Sequence, residues 1–162
     1  MKFAIHGINN PDMKKYNDHI LEISYILNHL SESESRGYKN LKKQIADGLA
    51  KKGWSGKISL SSRVKSSVPA AKGAVVISFQ FGNMARIYAD LIKMQYLIST
   101  GVTTLIIYII PDKELAIKIG QNIANSNRLL RELPLYKSFI NMPMVIFSIN
   151  SKLHGGRNVG QD

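Results

Sequence analysis

The run from Thr103 to Ile110 is almost wholly apolar, rich in β-branched side chains and closed by Pro111. It is too short for a core helix and has no alternating polar positions, so it reads as a strand covered on both faces. A strand of that kind requires helices on either side of its sheet, which points to an α/β layered domain. Met144 to Ile149 is a further core strand of the same character, and Val75 to Phe81 is another, ended by Gly82-Asn83. Phe3-Ala4-Ile5 is a short edge strand or an extended lead-in. Lys57 to Leu60 alternates like a strand.

Helical spacing fills the intervals. Asn10-Pro11-Asp12 is a helix-start signal, and apolar residues follow at Met13, Tyr16, Ile20, Ile23, Ile26, Leu27 and Leu30. A second helix is expected from Tyr38 to Lys52, with Leu41, Ile45 and Leu49 one turn apart and Gly53 as its stop. A third begins after Asn83, a candidate cap, and carries Ile87, Leu91, Met94, Leu97 and Ile98 on one face up to Gly101. Asp112 can cap a helix starting at Lys113. Ser61 to Gly73 reads as a basic, Ser-rich loop. Residues 1–150 form one expected domain, and the polar, Gly-rich stretch 151–162 is expected to be a disordered tail.

The chain carries 22 Lys and Arg against 11 Asp and Glu, an excess that favours an anionic partner, with nucleic acid foremost. No apolar run is long enough to span a bilayer, and the start has no secretory pattern, so a cytoplasmic location is expected. The absence of cysteine excludes disulfides, thiolate metal sites and cysteine nucleophiles. His6, His19, His29 and His154 show no ligand spacing. Gly53, Gly56 and Gly73 lack the context of a nucleotide fingerprint.

The strand at Val75–Phe81 carries the chemistry. Alternation sends Ile77, Phe79 and Phe81 to one face and Val76, Ser78 and Gln80 to the other. Two polar groups, two residues apart on one face of a buried strand, are how a nuclease presents a metal ligand and its neighbour. Between Asp47 and Asp90, however, there is no Asp or Glu. That interval holds Arg63, Lys65, Lys72 and Arg86 instead.

Ser78-Phe79-Gln80-Phe81-Gly82-Asn83, followed by Tyr88-Ala89-Asp90-Leu91 and the apolar strand ending in Pro111, resembles the BglII/BstYI group of type II restriction endonucleases in the PD-(D/E)xK superfamily. The Gly53-Trp54 pair and the strand Met144 to Ile149 are similar as well. The resemblance implies a restriction-endonuclease-like fold, a central mixed sheet flanked by helices. It also implies a homodimer that binds duplex DNA, magnesium as cofactor, and a cognate methyltransferase as a possible partner. Gln80 matches the family's Gln. The family's strand Glu is Ser78 here, and its upstream Asp falls near Pro69, so cleavage is expected to be impaired or lost. With those acids gone no cofactor is expected.

Arg63, Lys65, Lys72, Asn83 and Arg86 flank the motif and are the expected DNA-binding residues. Two alternatives stay open. One is an active magnesium-dependent endonuclease with relocated acids such as Glu34, or Glu32 beside it. The other is a basic RNA- or protein-binding module. Gln80 is either an active-site residue or a buried amide bonded to backbone. Asp90 falls near Ile87, Leu91 and Met94 on the helical period, which suits a partly buried structural hydrogen bond.

Overall fold

The computed structural model describes residues 1–31, 39–60 and 66–150. The tail at 151–162 and the candidate residues Glu32, Glu34, Arg63 and Lys65 lie outside the described residues. The elements in chain order are β1 (Lys2–Ile8), α1 (Asn17–Asn28), α2 (Lys39–Lys51), β2 (Ile58–Ser59), β3 (Ser67–Val68), β4 (Ala70–Lys72), β5 (Val75–Phe79), α3 (Arg86–Ser99), β6 (Leu105–Pro111), α4 (Lys113–Ile119), α5 (Ser126–Glu132), a 3-10 turn (Leu133–Tyr136) and β7 (Met144–Asn150).

Five strands form one mixed sheet in the order β1-β7-β6-β5-β4. The three apolar strands β5, β6 and β7 run parallel at its centre. β1 pairs antiparallel along the whole of β7, and β4 pairs antiparallel with β5. β2 and β3 make a separate two-stranded ribbon.

Every residue of β6 is buried, as its composition requires. Leu105, Ile107 and Ile109 enter the core packed under α1 and α2, while Ile106, Tyr108 and Ile110 enter the core under α3 and α5. The alternation expected of β5 holds: Ile77, Phe79 and Phe81 join the first core and Val76 the second. No helix among the described residues is long and apolar enough to cross a membrane.

Three expectations need correction. The first helix begins at Asn17 rather than after Asp12, because Asn9 and Asn10 adopt positive φ and residues 13–16 make a turn in which the Asp12 carboxylate accepts from the Lys15 N–H at 3.0 Å. The interval expected as a loop up to Gly73 contains β3 and β4, with β4 an edge strand of the main sheet. Its turn to β5 is made at Gly73-Ala74, where Gly73 takes φ +56°. Asn83 does not cap α3 itself: its side chain accepts from the Ala85 N–H at 2.8 Å, ahead of the helix. The Asp112 cap is present, accepting from the Leu115 N–H at 2.7 Å.

Candidate functional site

A cleft of about 460 Å³ opens at the β4/β5 side of the sheet, between α2 and α3. Ser78 and Gln80 line it from the motif strand, and Pro69 lines it from the segment joining β3 to β4. The three positions compared with the family's catalytic motif are therefore brought into one cavity. Lys42 enters from α2, Lys57 from the approach to the β2–β3 ribbon, and Arg86, Asp90 and Lys93 from α3.

The fixed point of the cleft is Asp90, which is 8% exposed. Its Oδ2 accepts from Gln80 Nε2 at 2.7 Å and from the Tyr108 hydroxyl at 3.2 Å. Its Oδ1 pairs with Lys93 Nζ at 2.7 Å. A buried carboxylate needs such partners, because an unpaired charge there carries a large desolvation cost. The expectation of a structural hydrogen bond at Asp90 is met, and the residue also belongs to the cleft wall. Burial, then the neighbouring Asp90 charge and hydrogen bond, raise the Tyr108 hydroxyl well above its ordinary pKa, so it stays a donor.

Gln80 is a buried amide bonded to backbone, the second of the two readings open for it, and it lines the cleft. Its Oε1 accepts from the Gly82 N–H at 2.9 Å while its amide nitrogen holds Asp90, so a buried amide bonded to backbone also forms part of the cleft floor. Both ends are occupied, which fixes the amide orientation. Ser78 is buried beside it and offers a neutral hydroxyl.

The expected DNA-contacting residues divide. Arg86 is exposed and lines the cleft. Asn83 is exposed and engaged in its local turn, with its backbone bridged to Ile123. Lys72 is held elsewhere: its Nζ donates to Glu22 at 2.6 Å and to the Lys52 carbonyl at 2.9 Å. An ammonium paired in that way braces the fold, and Lys72 keeps 34% of its side-chain surface exposed. Lys42, Lys57 and Lys93 were not among the sequence candidates. The signal for Lys93 was available, since Arg86, Asp90 and Lys93 recur at helical spacing behind the motif strand.

The fold that carries this cleft is shared with known proteins. A family model described as restriction endonuclease BglII/BglIII matches residues 9–149. Among solved structures, restriction endonuclease BglII complexed with a DNA 16-mer superposes with a TM-score of 0.76 at 14% identity, covering 91% of this chain and 76% of that one. Free BglII superposes with a TM-score of 0.74 at 17% identity, covering 96% and 82%. No curated protein sequence matches the chain.

Proposed function

This chain belongs to the BglII/BglIII restriction endonuclease family, and from that premise we propose that it binds duplex DNA in the cleft between α2 and α3 without cutting it by a magnesium-dependent route. The donor set of the cleft carries this reading. Magnesium demands an octahedron of oxygen ligands, usually with one or two carboxylates among them. Asp90 is the sole carboxylate among the described residues lining the cleft, and Lys93, Gln80 and Tyr108 already occupy its oxygens. The Pro69 side chain brings no oxygen, and the Gln80 side-chain Oε1 already accepts from the Gly82 N–H. These residues do not fit the ion. Among the described residues no group of three or more His, Cys, Asp or Glu is placed to hold a metal.

The same surface suits a polyanion. Lys42, Lys57, Arg86 and Lys93 line the cleft, against a single carboxylate among its described lining residues. Phosphate contacts of this type supply most of the affinity of proteins for DNA. BglII itself has been crystallised with a DNA 16-mer, which supports the choice of partner. A homodimer reading a two-fold symmetric site, with a methyltransferase in the same system, belongs to this proposal.

Gel-shift and plasmid-nicking assays on the full chain test it. Binding of duplex DNA in EDTA, with no nicking in magnesium or manganese, is the expected result. Nicking would overturn the loss of cutting, and stronger competition by structured RNA would overturn duplex DNA as the partner. Ser78→Glu combined with Pro69→Asp should weaken metal-free DNA binding roughly thirtyfold, since each added carboxylate repels a phosphate about 4 Å away by about 1 kcal/mol even at the dielectric of water. An unchanged affinity would remove the cleft from the interface.

A further inference from the structure

Arg86, Asp90 and Lys93 occupy one stripe of α3, and all three line the cleft together with Ser78 and Gln80. Asp90 is clamped through Oδ2 by Gln80 and Tyr108, and through Oδ1 it holds the Lys93 ammonium at 2.7 Å. Lys93 keeps 32% of its side-chain surface exposed while Asp90 keeps 11%. The carboxylate thus lies beneath the ammonium. An ammonium has three donors, and Asp90 engages one side of it.

We propose that Lys93 Nζ is a phosphodiester-binding group of the cleft, with Asp90 as its positioning residue. The inference rests on the duplex-DNA reading above and goes beyond it by naming the cation and the residue that holds it. Most lysines must freeze a flexible stem to hold a phosphate, which costs side-chain entropy. Lys93 meets the ligand with its stem already fixed by the ion pair. The positive charge it brings beside Ser78 and Gln80 depends on no metal.

Fluorescence anisotropy with a mixed-sequence DNA duplex, in EDTA and across a salt series, tests the proposal on the full chain. Lys93→Gln should weaken binding about equally for all sequences and reduce the slope of log affinity against log salt by about one contact. Lys93→Arg should keep the slope. Asp90→Asn separates positioning from simple electrostatics. Removing a negative charge beside a phosphate strengthens binding if charge alone matters, whereas loss of positioning weakens it. An unaltered slope in Lys93→Gln, with thermal unfolding like that of the wild type, would overturn Lys93 as a phosphate ligand. Tighter binding by Asp90→Asn would overturn the positioning role. Failure of the wild type to bind any duplex would overturn the DNA reading itself, and the Lys93 proposal with it.

Discussion

Asp90 satisfies three donors from three elements: Gln80 after β5, Tyr108 on β6 and Lys93 on α3. Removing it strands the Gln80 amide and the Tyr108 hydroxyl, both buried, and a stranded buried donor costs its full desolvation. Asp90→Ala is therefore expected to lower stability by about 3 kcal/mol in urea unfolding. Tyr108→Phe, which deletes one hydrogen bond and little volume, should cost about 1 kcal/mol. Equal losses in the two variants would show that Asp90 is not the hub of the network. Sequence periodicity located Asp90 on the buried face of its helix. It did not identify Tyr108 and Gln80 as partners, because those contacts cross the parallel β5–β6 pairing and depend on register.

The elements legible in the sequence are those with a strong period. α2, α3, β5, β6 and β7 all follow their apolar patterns closely. β4 was hidden because Ala70 and Ala71 have weak strand preference, and only pairing with Val76 and Ile77 makes them a strand. α5 is short and was not anticipated. It is started by the Asn125 side chain, which accepts from the Arg128 N–H at 2.9 Å, and is joined to α3 through Arg128, Glu132 and Tyr88. The contact between α1 and α2 also escaped the sequence. A Cβ added at Gly48 would lie 2.7 Å from Ile26 Cγ2, an atom on a stiff β-branched side chain. Gly48→Ala gains about 1 kcal/mol of helix propensity but overpacks this crossing by about 1–3 kcal/mol. A net fall in thermal stability is expected, and a higher melting temperature would mean that Ile26 yields freely.

Across the whole molecule, the helical layer of α1 and α2 is tied to the sheet's β4 edge through Glu22. Its carboxylate accepts from Lys72 at 2.6 Å and from the Trp54 indole at 2.9 Å. Burial disfavours the Glu22 charge, but the hydrogen bonds from Lys72 and Trp54 and the Lys72 charge outweigh it, so its pKa is lowered. A carboxyl lowered in the folded state stabilises above its unfolded value of about 4.3, and that contribution is lost as pH falls through the folded value. Glu22→Gln should cost about 1 kcal/mol near neutral pH, since the pair is partly exposed, and the gap from the wild type should close in acid. A gap independent of pH would assign the loss to packing.

β6 separates the two cores, and Tyr108 extends from it to the carboxylate that orders the cleft. The charged wall is thus moored to the keel of the molecule rather than to a surface loop. Native fluctuations that leave this keel intact keep Asp90 and its neighbours aligned, so the shape of the cleft is set by the core.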